Sequence, residues 1–253
     1  MVTIIIPFKD KISYLLKCLK SIFAKTVDTD FEIILINNQS QKKQTISTLN
    51  QLKNKKSLTL LDYDLPFNFA AINNFAANHS KNKFLLFLNN DTEIITTNWL
   101  NILLSHFTGT NTGAVGAKLL YKNNTIQHAG IFTKNNIIGH MYSKMLNIDD
   151  CNAPFNNVYE PDAVTAACMM TPRDIFQTLG GFDETNFSIA YNDVDYCLRL
   201  RSLGYKIIYD PNVELYHYES ASRINDKWSV ILHRRRYQQF RYERELIKKR
   251  WKI

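Results

Sequence analysis

The sequence is poor in cysteine, and no two of its four cysteines form a CxxC pair. Because they are scattered, as Cys18, Cys151, Cys168 and Cys197, neither a zinc knuckle nor a disulfide framework is predicted. No apolar run approaches the roughly 20 residues that cross a bilayer. The first residues carry no basic leader, and their apolar run is too short for a signal peptide. These absences argue against a membrane-spanning or disulfide-stapled protein and predict a cytoplasmic one.

Disorder and internal repeats are missing as well. Of the 253 residues, 45% are hydrophobic and 21% are charged, which is typical of a soluble globular protein. The length suffices for one large core or two small ones. Because no repeat or low-complexity linker divides the sequence, we predict one domain with a C-terminal extension. Much of the formal net charge of +8 falls in that extension, between His233 and Ile253.

Strand and helix patterns alternate four times in the first half. Apolar runs predict buried strands at 3–6, 31–36, 58–61 and 84–88, and helical spacing predicts helices at 12–23, 45–52, 69–78 and 99–107. The connections are too long for hairpins, so a mostly parallel sheet flanked by helices is expected. Ligands bind beyond the carboxyl ends of such strands. Polar residues at 7–10, 37–40, 62–64 and 89–91 follow these strands, although turn formation alone also explains their composition.

The second half has a different pattern. Short strands are predicted at 114–121, 126–132, 163–171, 206–209 and 213–216, and helices at 173–179 and 193–203. The segment 139–158 has little periodicity and is predicted to be a long loop, of a length that often forms a functional lid.

Acidic residues stand at two predicted element ends. Asp91 and Glu93 follow the fourth strand, and Asp193 and Asp195 open a helix. Carboxylates at strand ends can hold Mg²⁺ or Mn²⁺, whereas acids in a first helical turn are commonly caps. His217 lies in a later extended segment, and by itself such a histidine is more often structural than a metal ligand.

Together these segments resemble a known family. The stretches that carry the resemblance are TIIIPFKD, EIILINNQS, NFAAINNFAA, FLLFLNNDTEI, VGAKLLYKNNTIQHAGI, VTAACMMTPRDIFQTLGGFDE, YNDVDYCLRLRSLGYKIIYDP and LYHYESASR. In this order, over residues 2–223, they are similar to glycosyltransferase family 2, and most similar to its rhamnosyltransferase-like, bacterial cell-surface polysaccharide branch. The resemblance implies a GT-A fold, which is Rossmann-like, in a domain at 1–223. A nucleotide-sugar half at about 1–110 and a smaller acceptor half at about 111–223 would precede a basic helical extension at 224–253.

The resemblance also implies an inverting, metal-dependent transfer of a hexosyl or deoxyhexosyl group. Asn89-Asn90-Asp91 matches the family's DxD motif, so that Asp91, with His217 as a further ligand, would bind Mn²⁺ or Mg²⁺. Asp193 matches the catalytic base, which takes the proton of the acceptor hydroxyl as that oxygen attacks the anomeric carbon.

Further residues match the family's substrate pockets. Those matching the nucleotide pocket are Pro7, Phe8, Asn37, Asn38, Ser40, Asn68, Asn73, Asn89 and Asn90. Asn37 replaces a usual aspartate, and because an amide can accept as well as donate a hydrogen bond, UDP or dTDP donors are expected in preference to CDP or GDP. Those matching the sugar and acceptor cleft are His128, Ala167, Asp183, Asn192 and Asp195. Asn192 stands where glutamate commonly precedes the base.

Other function classes stay open at this point. The basic, aromatic-rich tail would suit a nucleic-acid-binding protein, but acidic residues in the core would repel a polyanion, and no nucleic acid is expected. A nucleotidyltransferase would be expected to have a Gly-rich phosphate loop after the first strand, and this sequence has none there. A catalytically inactive scaffold would not be expected to keep Asp91, Asp193 and His217.

Two interpretations of the tail also stay open. It is either a helix that packs along the domain or forms a homodimer contact, or a basic amphipathic helix that contacts anionic lipid on the cytosolic face of the inner membrane. The second suits the saccharide or lipid-linked saccharide acceptors that the resemblance implies. On either interpretation, residues from about His233 onward are expected to take no part in the chemistry.

Overall fold

The computed structural model describes residues 1–52, 57–218 and 230–253. Its strands are β1 Val2–Phe8, β2 Phe31–Asn37, β3 Leu58–Asp62, β4 Phe84–Leu88, β5 Thr92–Ile94, β6 Thr112–Leu120, β7 Ile126–His128, β8 Ile131–Lys134, β9 Ile137–His140, β10 Cys168–Pro172 and β11 Lys206–His217. Its helices are α1 Ile12–Lys25, α2 Lys43–Leu52, α3 Phe69–His79, α4 Trp99–Ser105, α5 Arg173–Thr178, α6 Asn192–Ser202 and α7 Val230–Trp251. A 3₁₀ turn covers Pro154–Asn156. Among the described residues, no helix is long and apolar enough to cross a membrane.

One large sheet organises these elements, in the strand order β3-β2-β1-β4-β10-β6-β11-β5, with β7 paired to β6. The pairs β1–β2, β1–β4 and β2–β3 are parallel, which confirms the arrangement predicted for the first half. Two hydrophobic clusters are formed by the buried residues of the sheet and the helices. β10 is antiparallel to β4 and β6 and joins the two halves of the sheet. The polar segments that follow β1, β2 and β4 are thereby gathered at one edge.

Three element predictions in the second half are wrong. The segment 126–132 is not one strand, because it is interrupted at Gly130, which has φ +89° and whose added Cβ would lie 2.9 Å from the Cβ of Pro161. β8 then pairs with β9 as a separate hairpin. The predicted strand at 163–171 begins only at Cys168, and the two strands predicted between 206 and 216 form the single strand β11, with a register irregularity between Asp210 and Glu214.

The long loop predicted at 139–158 is held to the domain by a buried lysine. The ammonium group of Lys118 donates hydrogen bonds to Oδ1 of Asn147 at 3.2 Å and Oδ1 of Asn156 at 2.7 Å. It also forms an ion pair with Glu214 at 3.0 Å. Because the Lys118 side chain is only 4% exposed, its charge requires these partners, and the loop is fixed at two points along its length.

Helix α7 packs on the domain, as the first interpretation of the tail predicts. Glu243 and Ile247 are fully buried, and Arg250 and Trp251 bond to Asp195. The opposite surface keeps Tyr237 and Tyr242 exposed. The predicted domain boundary at 223/224 and the first residues of the extension lie outside the described residues.

Candidate active site

The predicted metal ligand Asp91 lies in a tight turn between β4 and β5. The turn is fixed from three sides: the N–H of Asn89 donates to the carbonyl of Ala167 at 3.1 Å, Oγ1 of Thr92 donates to the carbonyl of Asn89 at 2.8 Å, and the N–H of Tyr218 donates to the carbonyl of Asp91 at 2.9 Å. Residues 89–91, which follow the buried strand β4, are therefore held through their backbone, and the carboxylate of Asp91 is not used to hold the turn.

His217 lies beside Asp91, with its Nε2 atom 3.3 Å from Oδ1 of the carboxylate. Gln127 determines the tautomer of the His217 ring. Nε2 of Gln127 donates to the carbonyl of His217 at 3.4 Å, so Oε1 of Gln127 faces Nδ1 of His217 at 2.6 Å and accepts a hydrogen bond from it. Nδ1 therefore carries the proton, and in neutral His217 the Nε2 lone pair faces Asp91. Nδ2 of Asn89 donates to the same nitrogen at 3.1 Å.

The arrangement fits a divalent cation. A carboxylate oxygen and an imidazole nitrogen lie 3.3 Å apart, and both are ordinary ligands of Mn²⁺. A cation bound there would take the Nε2 lone pair from the amide of Asn89. Gln127 bonds to the far ring nitrogen of His217, as the hydrogen-bond partners of metal-binding histidines usually do. No group of three or more His, Cys, Asp or Glu side chains suited to a metal occurs within residues 1–52, 57–218 and 230–253.

Glu93, the other acid after β4, is already paired. Its carboxylate forms an ion pair with Lys17 at 2.7 Å and accepts a hydrogen bond from the hydroxyl of Tyr218. Lys17 also donates to that hydroxyl at 2.6 Å. Partial burial favours a higher pKa for Glu93, but its own bonds to Lys17 and Tyr218 outweigh burial and lower the pKa. The cluster joins α1 to Tyr218, the residue that follows His217, and so helps to fix the position of His217 beside Asp91.

The predicted base Asp193 lies in the first turn of α6 and is partly buried. The N–H of Ala166 donates to its Oδ2 at 3.1 Å, and the N–H of Val194 to its Oδ1 at 2.8 Å. Ala166 belongs to the segment 165–167. The last residue of this segment, Ala167, accepts the bond from Asn89 described above. This short segment therefore connects the turn of Asp91 to the carboxylate of Asp193.

Among the residues matched to the acceptor cleft, Asp195 and Asn192 are inaccessible. Asp195 is 0% exposed and is held by Nε of Arg199 at 2.8 Å, Nη1 of Arg250 at 2.9 Å and Nε1 of Trp251 at 3.0 Å. Asn192 is 3% exposed. Their burial argues against the predicted acceptor contacts and gives both residues a structural role. A fully buried Asp195 is also not placed to take a proton from an acceptor hydroxyl.

Asp183 lies in a different place from the base. It bonds to Asn186 and forms an ion pair with Arg250 at 2.7 Å, and these contacts lower its pKa against partial burial. It lines an open cavity of about 700 Å³, with Asn74, Glu184 and Arg250 among the other lining residues. Asp91, Asp193 and His217 do not line this cavity.

His128 is buried and forms hydrogen bonds with the surrounding backbone. Its Nε2 accepts from the N–H groups of Gly130 at 3.3 Å and Thr165 at 3.4 Å, so its Nδ1 carries the proton toward Nδ1 of His140 at 2.8 Å. Burial, followed by the neighbouring imidazoles of His140 and His217, lowers the pKa of His128 well below 6.5. His128 is 1% exposed, so the structure places it behind the segment 165–167 rather than in an open cleft.

The residues matched to the nucleotide pocket gather where β1, β2 and β3 end. Asn37 accepts from the N–H of Ser40 at 3.1 Å and donates to Oδ1 of Asp62 at 2.8 Å. Asn38 is 2% exposed and donates to the carbonyls of Tyr63 and Leu65, while its Oδ1 has no partner within the described part of the chain.

The other matched residues surround this edge. Phe8 is buried, with Pro7 before it on β1. Asn68 caps α3 by accepting from the N–H of Ala71, and the buried Asn73 donates to the carbonyl of Phe69. Asn90 is half-buried in the turn of Asp91.

Sequence reasoning missed three residues here. Gln127 stands beside His128 in the quoted stretch IQHAG, and Ala166 stands beside Ala167. Asp62 was noted only as a polar residue after the third strand. Their places next to matched residues were the available signals.

A family model described as glycosyl transferase family 2 matches residues 3–158. The chain belongs to this family. It is 38% identical over 229 residues to the O-antigen biosynthesis protein RfbC of Myxococcus xanthus, covering 89% of the present chain and 18% of that protein. It is 34% identical to an uncharacterized protein, y4gI, of Sinorhizobium fredii, covering 100% of the chain and 28% of the relative. The family 2 chain therefore spans less than a third of the length of these relatives.

Solved structures show the same fold. GalNAc-T7, in a complex with UDP, GalNAc and Mn²⁺, superimposes with a TM-score of 0.72 at 15% identity, covering 86% of this chain and 44% of that one. The mannosyltransferase PcManGT of Pyrobaculum calidifontis, with GDP-Man and Mn²⁺, gives 0.65 at 16% identity, covering 96% and 62%. The expected GT-A fold is thereby confirmed.

Proposed function

We propose that this family 2 chain is an inverting glycosyltransferase. It moves a hexosyl or deoxyhexosyl group from a nucleoside-diphosphate sugar to a saccharide or lipid-linked saccharide in cell-surface polysaccharide biosynthesis. The observation that carries the proposal is the joining of Asp91 and His217 to Asp193 through the segment 165–167, where Ala167 and Ala166 bond to the two sides. The similarity to an O-antigen biosynthesis protein supports the acceptor class.

This placement supports a single-displacement reaction. The acceptor hydroxyl oxygen forms a bond to the anomeric carbon while the bond from that carbon to the diphosphate oxygen breaks, and the proton passes to the carboxylate of Asp193. The N–H groups of Ala166 and Val194 each bond to one oxygen of Asp193, and so fix the direction in which it accepts the proton. Asp91 and His217 would hold Mn²⁺ or Mg²⁺, which stabilises the negative charge of the departing nucleoside diphosphate.

For the donor, we propose UDP or dTDP sugars in preference to CDP or GDP sugars. Oδ1 of Asn37 accepts from Ser40 and its amide group donates to Asp62, which places a second acceptor, the Asp62 carboxylate, at the pocket edge. A carboxylate there restores the acceptor that the family's usual aspartate supplies, and so suits a base with a ring N–H.

The outer surface of α7 supports a second, separate proposal about location. Tyr237 and Tyr242 are 63% and 58% exposed, and Arg234 and Arg241 are exposed on the same outer side of the helix. Aromatic rings and cations on one surface suit contact with anionic lipid, so we propose a cytoplasmic protein that binds peripherally to the cytosolic leaflet. Binding of the purified chain to anionic but not to neutral vesicles tests this. A homodimer through α7 is the competing result, and sedimentation at increasing concentration detects it.

The activity is tested with a panel of nucleotide sugars, with Mn²⁺ or Mg²⁺, scored by release of nucleoside diphosphate. Asp193→Asn keeps the shape of the base but cannot take a proton, so kcat should fall about 10²- to 10⁴-fold while donor binding remains. Asp91→Ala should instead weaken binding of donor and metal. Asp28→Asn, at an exposed position, is the matched control. The proposal fails if no donor is cleaved, or if Asp193→Asn keeps wild-type kcat. A nucleotidyltransferase would instead release pyrophosphate when it is given a nucleoside triphosphate and a sugar 1-phosphate.

A further inference from the structure

Helix α7 inserts a fully buried carboxylate into a ring of backbone donors. Glu243 is 0% exposed. Its oxygens accept from the N–H groups of three consecutive residues, Ser188 at 2.9 Å, Ile189 at 3.1 Å and Ala190 at 2.7 Å. The hydroxyl of Ser188 and Nε2 of Gln239, each at 2.9 Å, complete the ring. Successive backbone N–H groups that converge in this way bind anions strongly, so the charge of Glu243 fixes the conformation of residues 188–190.

These three residues lead directly into the turn that carries the base. Ala190 is followed by Tyr191, which has φ 59° and ψ 3°, and then α6 begins, with Asp193 in its first turn. A bulky residue in the left-handed region is strained and persists only where its surroundings hold it. The ring of Phe240 on α7 lies 5.5 Å from the ring of Tyr191, so α7 holds the strained residue as well as the segment before it.

The same helix also holds α6 beyond the base. Arg250 and Trp251 both donate to Oδ1 of Asp195, two residues after Asp193. These bonds and the buried Ile247 lie one to two turns along α7 from Glu243. They dock α7 without the Glu243 carboxylate, so removing its charge should loosen the segment 188–191 while the helix stays attached.

We propose that Glu243 is a positioning residue for the base, which acts by fixing residues 188–191 and hence the direction of the Asp193 carboxylate. The inference rests on the proposed function. It assigns to the C-terminal helix a part in the reaction, whereas the sequence predicted none beyond His233.

The test substitutes Glu243→Gln, which replaces one acceptor oxygen by an N–H₂ group that faces backbone donors. Glu245→Gln removes the same charge from an exposed position two residues along α7 and is the matched control. Because a misplacement of about 1 Å can cost about 100-fold in rate, Glu243→Gln should lower kcat about ten- to a hundredfold. KM for the donor should stay within about twofold, since the interaction acts on the transition state and not on donor binding.

Two further measurements separate positioning from a general loss of structure. Amide hydrogen exchange over residues 187–193 should speed up in Glu243→Gln but not in Glu245→Gln, and this readout needs no activity. In an Asp193→Asn background, Glu243→Gln should cost little more, because both changes act through one group.

The proposal is overturned if Glu243→Gln matches Glu245→Gln, if its losses add fully to those of Asp193→Asn, or if donor KM rises instead of kcat falling. Should Glu243→Gln not fold, Ser188→Ala decides: it removes one donor to Glu243 and should give a smaller change of the same kind, and no change would overturn the proposal. A wild-type chain that cleaves no donor refutes the proposed function, whereas an active chain that is indifferent to Glu243 refutes only this inference.

Discussion

Gln127→Leu should weaken metal binding without changing the chemistry. The side chain is 5% exposed, and leucine has a similar size but cannot accept the Nδ1–H bond of His217 that lies at 2.6 Å. Without Gln127 the metal-free ring can carry its proton on Nε2, beside Asp91, whereas a metal ion on Nε2 requires an Nδ1–H that is buried without a partner, at a cost of about 1–3 kcal/mol. At 1.4 kcal/mol for each factor of ten, the apparent Kd for Mn²⁺ should rise about 5- to 150-fold, which agrees with the ten- to hundredfold effect of outer-shell partners generally.

The assay is a Mn²⁺ titration of the chain with UDP present, followed by the spectroscopic signal of free Mn²⁺, and repeated as nucleoside diphosphate release. At saturating Mn²⁺ the kcat of Gln127→Leu should return to near the wild-type value. Gln127→Glu keeps an acceptor for Nδ1 and should bind metal nearly normally, while Gln44→Leu makes the same change at an exposed position of α2. The reasoning is refuted if the midpoint for Gln127→Leu matches that of Gln44→Leu, or if Gln127→Glu loses as much affinity as Gln127→Leu.

Two stability predictions follow from buried cations and imidazoles. Lys118→Met should lower the free energy of unfolding in urea by about 1–3 kcal/mol, because the loop amides and Glu214 lose their donor, and Lys122→Met at an exposed site should not; equal stabilities would contradict this. The folded-state pKa of His128 is lowered, so below the unfolded pKa of about 6.5 only the unfolded chain takes up this proton. The contribution of His128 to the free energy of unfolding should therefore be fully present above that pH and should fall by up to about 1.4 kcal/mol per pH unit below it. His128→Asn should flatten that decline between pH 6.5 and 5 in unfolding measurements at each pH, and an unchanged slope would show that other groups cause it.

The first half of the fold could be predicted closely because its signals are local. Runs of β-branched and apolar residues gave β4 at 84–88 and the other parallel strands to within two residues, and apolar spacing gave α1 and α3. The rule that sites form at the carboxyl ends of parallel strands then brought Asp91 to the edge of the sheet. His217 could be placed beside it only through the resemblance, since its partner is 126 positions away in the sequence.

Predictions for the second half of the chain were wrong where contacts between distant segments determine the structure. Gly130 separates β7 from β8 with φ +89° and leaves no room for a Cβ beside Pro161, and no pattern within 126–132 shows that contact. Asp195 was expected in the acceptor cleft because of the resemblance, yet it is buried by three donors that come from α6 and from the far end of α7. Single-sequence reasoning finds such acids but not the partners that bury them.

The tail shows why net charge alone misleads about the role of a helix. Its basic residues drew attention to contact with anionic lipid, but Arg250 points inward to Asp183 and Asp195. The buried acid Glu243 bonds to the backbone just before the proposed base. A stripe of Phe240, Glu243, Ile247 and Trp251, spaced by three or four residues, was the available signal. A helix with one such stripe and a basic outer surface can pack and bind lipid at once, so the two interpretations of the tail do not exclude each other. Removing the chain from His233 onward would then take the partners of Asp195 with it, and loss of vesicle binding and loss of turnover would arise from opposite surfaces of the same helix.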